Sequence, residues 1–87
     1  MGLNSKAAKI SKWLDYGGAK SYGSLHLAGN TVYTYNVQLA SVNREDKTAR
    51  VNVADYTVTS SGHRNRVLEA LESCSFTVTR VDSPEEL

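Results

Sequence analysis

Along residues 31–42, Tyr33, Tyr35, Val37 and Leu39 alternate with Thr34, Asn36 and Gln38. Successive side chains of a strand point to opposite faces, so this period of two describes a strand with one face buried and one in water. Such a strand needs neighbours in a sheet and a layer over its apolar side.

Residues 22–27 read as a neighbouring strand, joined through Ala28-Gly29-Asn30, a hairpin signal. A two-residue loop pairs Leu27 with Val32 and sets Leu25 and Leu27 on the polar face. A three-residue loop pairs Leu25 with Tyr33 and Leu27 with Thr31, which brings both leucines to the Tyr/Val/Leu face. Register follows the buried face, and that selects the three-residue loop. A third strand spans 49–58, after the polar turn 43–47. Its apolar parity switches from Val51 and Val53 to Tyr56 and Val58, as a bulge near Ala54-Asp55 would produce. Residues 75–81 form the last strand, with Phe76 and Val78 inward.

Two segments carry the helical period instead. Over 4–14, Leu3, Ala7, Ile10 and Leu14 fall on one stripe, with Asn4 or Ser5 as cap and Gly17-Gly18 as terminator. Over 61–73, Val67, Leu68 and Leu71 make the buried stripe and Ser60 or Ser61 the cap. The order α-β-β-β-α-β predicts an α+β two-layer sandwich, an antiparallel sheet with two helices on one face. Its expected core is Leu14, Leu25, Tyr33, Val37, Leu39, Val51, Val53, Leu68, Leu71, Phe76 and Val78. One domain covers 1–82, and 83–87 is a flexible acidic tail.

Composition narrows the function. The 87 residues hold ten Lys+Arg and nine Asp+Glu, a net charge of +1. A generic polyanion binder needs a dominant basic field, which this balance excludes. One Cys excludes a disulfide framework and a Cys-based zinc site within the chain. His63 and Cys74 stand about 16 Å apart along a helix, too far to share a metal. No apolar run approaches the ~20 residues of a membrane span. Nucleophile elbow, P-loop and dinucleotide fingerprint are all missing, and Asp15, Asp55 and Asp82 are isolated. The expectation is a protein without catalysis, metal or cofactor. The first residues lack the apolar core of a signal peptide, which with the single Cys points to the cytoplasm.

Binding remains. Ser60, Ser61, His63, Arg64 and Arg66 surround the start of the second helix, whose free N–H groups favour a phosphate or carboxylate. The same residues also read as a plain cap, with Arg66 paired to Glu69 or Glu72. On the first helix, Lys6, Lys9 and Lys12 flank Trp13, either an interface anchor or a ring covering the core edge beneath lysine stems. Tyr16 and Tyr22 flank the Gly-rich loop that follows. Residues 1–20 carry four Lys against Asp15, and 80–87 carry Arg80 against Asp82, Glu85 and Glu86. This basic front and acidic tail either attract each other or serve different partners. An unshielded edge strand could also pair two copies into a homodimer.

The order of elements from residue 4 to 72 resembles that of a double-stranded-RNA-binding domain. The resemblance implies RNA contacts through Lys9 and Lys12, through the loop at Ala28-Gly29-Asn30 with His26, and through His63, Arg64 and Arg66. The segments Leu25-His26-Leu27-Ala28-Gly29-Asn30, Val32-Tyr33-Thr34-Tyr35-Asn36 and Val53-Ala54-Asp55-Tyr56-Thr57, with the Ser/Thr run ending at His63, resemble small proteins of phages and mobile elements. That resemblance implies a protein that occludes a host protein or complex, as anti-CRISPR proteins do. The expected function is therefore a small binding module for a host protein complex, with nucleic acid as the alternative partner.

Overall fold

A computed structural model describes residues 5–35, 37–54 and 58–87, with the backbone alone at 58–60. Helix α1 (Ser5–Tyr16) leads into strands β1 (Ala19–Tyr22), β2 (Leu25–Ala28), β3 (Thr31–Thr34), β4 (Val37–Asn43) and β5 (Thr48–Asn52). Helix α2 (Val58–Ser73), strand β6 (Thr77–Val81) and a 3-10 turn, Pro84–Glu86, complete the chain. The strands form one six-stranded sheet in sequence order. β1 to β5 are antiparallel neighbours, and β6 runs parallel to β5. The fold is α+β, with a mixed sheet and five strands between the helices. It therefore corrects both the expected order, α-β-β-β-α-β, and the all-antiparallel sheet.

One extra strand, β1, is formed largely by residues 19–21, expected as the loop after the first helix, and the other comes from a tight reversal inside the run 31–42. Gly23 sits at φ 64, a conformation open to Gly, and turns β1 into β2. Tyr35 sits at φ 51 between Thr34 and Val37, which face each other across β3 and β4, so the alternating run 31–42 is two strands. The parallel pairing follows from α2, which returns the chain to run alongside β5.

Leu27 pairs with Val32 and Leu25 with Thr34, around a Gly29-Asn30 loop. The three-residue loop is thus replaced by two residues, with Gly29 at φ 61. The leucines still reach the core, because Val32 and Thr34 are fully buried and Tyr33 faces the other side, 37% exposed. Tyr33 is accordingly removed from the expected core, and Val37 is half-buried at the end of the sheet. Val32 pairs with Ala40 but Tyr33 with Gln38, leaving Leu39 as a bulge in β4. Both Leu39 and Ala40 thereby turn inward. The expected third strand stops at Asn52. Asp55 and Tyr56, on which its phase switch rested, lie outside the described residues, as do Leu3 and Asn4.

Both helices cover one face of the sheet and pack against each other. α1 contributes Ala7, Ile10, Trp13 and Leu14, and α2 contributes Val67, Ala70 and Leu71. Leu25, Leu27, Val32, Leu39 and Val51 meet them from the sheet. Val53, Leu68, Phe76 and Val78 pack half-buried around this centre. α2 begins at Val58, ahead of the expected start, so Ser60 and Ser61 lie within its first turn or so and do not stand in front of it as caps. The tail is not frayed throughout. Its 3-10 turn lies against β4, and the Arg50 guanidinium donates to the Glu86 carbonyl at 2.9 Å. Neither helix is long and apolar enough to cross a membrane among the described residues.

Candidate functional site

The C-terminal end of α1 is held by a residue far away in sequence. The last carbonyls of a helix lack intrahelical donors and carry the negative end of its dipole. Arg44, in the loop after β4, donates from Nε to the Leu14 carbonyl at 2.9 Å and from Nη2 to the Trp13 carbonyl at 3.0 Å. Nη1 reaches the Asn30 side-chain oxygen in the β2–β3 turn. The guanidinium also lies over the Trp13 ring, 4.6 Å from its centre. Burial draws the Arg44 pKa below the ordinary arginine value, yet a guanidinium stays charged. Gly17, at φ 72, completes the end of the helix, its N–H bonded to the Trp13 carbonyl at 2.7 Å. A Cβ there would also touch the Arg44 guanidinium at 3.7 Å.

Trp13 is therefore a core residue, 2% exposed, with its indole N–H donated to the Gly18 carbonyl at 3.0 Å. Of the two readings of this residue, the structure shows the ring at the core edge and no exposed anchor. The exposed aromatic at this end of α1 is Tyr16, at 86%. Between the end of α1 and β1 lies a groove of about 370 Å³, lined by Lys9, Lys12, Trp13, Tyr16, Lys20 and Tyr22. The Lys9 ammonium rests over the Tyr22 ring, 4.9 Å from its centre. None of these three lysines makes an ion pair among the described residues. A concave apolar floor with unneutralised cations on its rim can take an apolar side chain flanked by carboxylates. Lys9, Lys12 and Trp13 were legible as a cluster in the sequence. Lys20 and Tyr22 were not joined to it, because only the β1 turn brings them back across the helix.

The other expected cluster disperses. His63 points inward from α2, 5% exposed, with Nδ1 2.9 Å from the Thr34 hydroxyl and Nε2 3.3 Å from the Lys6 ammonium. Lysine can only donate, so Nε2 accepts and Nδ1 carries the proton toward Thr34. Burial, and then the Lys6 charge, lower the His63 pKa below the ordinary 6.5, so the ring is neutral at pH 7. His63 lies four residues before Val67 on the buried stripe, a spacing that would have flagged it as a core histidine. Arg64 donates to the Val53 carbonyl at 3.0 Å, and Arg66 pairs with Glu69 at 2.9 Å. Ser61 is half-buried inside the helix, and the Ser60 side chain lies outside the described residues. His63, Arg64 and Arg66 thus bond to different groups of the chain: Thr34 and Lys6, the Val53 carbonyl, and Glu69.

The three soft donors are equally separate. His26 lies on the helix-free face beside the Ser21 hydroxyl at 3.0 Å, His63 lies beneath α2, and Cys74 is a free thiol in the turn after α2. Among the described residues no three His, Cys, Asp or Glu side chains converge on a common point. A second depression of about 450 Å³, on the helix-free face, is lined by Ser41, Asn43, Thr48, Arg50, Thr79 and Leu87. Its one cation is already bonded to the Glu86 carbonyl. No protein-family model matches the chain, and neither curated proteins nor solved structures provide a match.

Proposed function

We propose that this chain is a small non-enzymatic binding module whose groove between α1 and β1 receives an acidic, apolar-containing segment of a partner protein. The carrying observation is the groove itself: Lys9, Lys12 and Lys20, with no carboxylate partner among the described residues, around Tyr16, Tyr22 and the edge of Trp13. Arg44 fixes the floor, so the partner meets a preorganised surface and little ordering cost is left to binding. The resemblance to small phage and mobile-element proteins supports a host protein complex as the partner and occlusion as the mode of action.

Geometry favours protein over nucleic acid. Stacking a base needs a free ring face; Arg44 covers Trp13 and Lys9 covers Tyr22, which leaves Tyr16 as the groove's open ring. The line of contacts expected for double-stranded RNA is also broken. His26 lies on the opposite face of the sheet from α1, and Arg66 is paired with Glu69.

Fluorescence anisotropy with Asp/Glu-rich peptides carrying one central Leu or Tyr, and in parallel with double-stranded RNA, tests this reading. The peptides should bind, and Lys12→Glu with Lys20→Glu should weaken them about tenfold or more. Binding to the RNA with a steep salt dependence, and none to the peptides, would establish the nucleic-acid reading in its place.

A further inference from the structure

The opposite edge of the sheet carries a separate surface, independent of the groove. β6 is an edge strand, Thr77-Val78-Thr79-Arg80-Val81, rich in β-branched residues and free of Pro. Its hydrogen-bonding parity can be read from its ends. The Thr77 N–H donates to the Lys47 carbonyl and the Val81 carbonyl accepts from the Val53 N–H. In a parallel ladder a residue directs both backbone groups to the same neighbour, and alternate residues point to opposite sides. Thr77, Thr79 and Val81 therefore serve β5, while Val78 and Arg80 direct their N–H and C=O away from the sheet.

The side chains of Val78 and Arg80 lie on the helix-covered face. With Leu68, Glu72 and Phe76 they line a groove of about 260 Å³ between α2 and the open edge. Leu68, Phe76 and Val78 are half-buried, and Glu72 and Arg80 are exposed. No ion pair involves Glu72 or Arg80 among the described residues. The other edge, β1, is blunted by Lys20, which belongs to the lysine groove, and is a residue shorter.

We propose that β6 pairs antiparallel with β6 of a second copy of this chain, about a two-fold axis through Thr79, making one continuous sheet across a homodimer. In that register Val78 faces the partner's Arg80 and Arg80 faces the partner's Val78. These are the residues with outward backbone groups, so each pair exchanges both backbone hydrogen bonds. Thr79 meets the partner's Thr79 as the non-bonded pair. The partner's Arg80 then lies over Val78, on the side where Glu72 stands at the end of α2. The charges are self-complementary, as an isologous interface requires, because the axis repeats the Arg80–Glu72 contact on both sides. Leu68, Phe76 and Val78 lose their remaining exposure beneath it.

Sedimentation equilibrium over a concentration series tests the dimer. Wild type should reach twice the 9.5 kDa monomer mass. Arg80→Glu, which sets two carboxylates together, should weaken association about tenfold or more. The charge swap Glu72→Arg with Arg80→Glu should restore it. Val78→Pro should give a folded monomer by circular dichroism, since the lost N–H faces away from β5. A wild-type monomer up to about 1 mM overturns the proposal. So does a dimer indifferent to Arg80→Glu and Val78→Pro, or one that the charge swap fails to restore.

Discussion

Arg44 joins three parts of the fold, because one guanidinium caps the end of α1, covers Trp13 and ties both to the β2–β3 turn. Arg44→Ala should cost about 2–3 kcal/mol in urea unfolding, as several charge-assisted bonds and the cover over Trp13 are lost together. Arg44→Lys should recover little of it, since an ammonium cannot reproduce a planar fork that serves three acceptors while stacking. Nothing near Arg44 in sequence announces this role: it stands in a run that reads only as a polar turn, 30 residues from Leu14. His63 is the second residue whose environment decides its behaviour. The folded ring resists protonation, through burial first and Lys6 second, whereas the unfolded ring titrates near 6.5. As pH falls through that value the unfolded chain binds the proton and the native one does not, so stability drops with pH until the lower native pKa is passed; above it the contribution is complete. Urea midpoints should fall between pH 7 and pH 5. Lys6→Met should raise the His63 pKa, as followed by its ring resonances, and flatten that fall.

At the scale of elements, both helices were legible, as were the Gly17 stop of α1 and the end of α2 at Ser73, but the start of α2 at Val58 was not. The stripe Ala7, Ile10, Leu14 and the stripe Val67, Leu71 follow directly from helical spacing, and all five are buried. Helix ends depend on hydrogen bonds to residues outside the helix, which periodicity does not encode. α2 closes with the Phe76 N–H on the Leu71 carbonyl at 2.9 Å and the Ser75 N–H on the Glu72 carbonyl at 3.1 Å, while Ser75 sits at φ 63. This is the Schellman arrangement, which places a left-handed residue after the helix and is usually filled by Gly. Ser75 is exposed, so Ser75→Gly loses no packing. It should stabilise the protein by about 0.5–1 kcal/mol in thermal or urea unfolding, and Ser75→Val should destabilise it by a similar amount. The strands show the complementary failure. The alternation at 31–42 was real, but a turn at Tyr35 divides it and a bulge at Leu39 resets its parity. Either feature alone exchanges the faces of every residue beyond it.

For the whole molecule the decisive fact is that, among the described residues, the large buried apolar side chains belong to one layer between the helices and a single sheet face. The other face of the sheet is polar, with Tyr33 and His26 exposed on it, so among the described residues no second core takes up the loss when the first is damaged. A chain of this length has only a thin margin, about 0.05–0.15 kcal/mol per residue. The consequence is a sharp asymmetry between two residues that the sequence had placed in the same core. Leu71 is fully buried beneath α2 beside Val67 and Ala70. Leu71→Ala removes its packing and leaves a cavity, at a cost of about 2–5 kcal/mol, a large share of the total. Tyr33 lies on the outer face, paired with His26 in β2 and Gln38 in β4, and Tyr33→Ala gives up only cross-strand contact, about 0.2–1 kcal/mol. Urea unfolding of the two variants separates the alternatives. Equal losses would put Tyr33 back among the core residues and require the β2–β3 register to be that of a three-residue loop. A loss several-fold larger for Leu71→Ala is what the two-residue loop, with Val32 and Thr34 inward, requires.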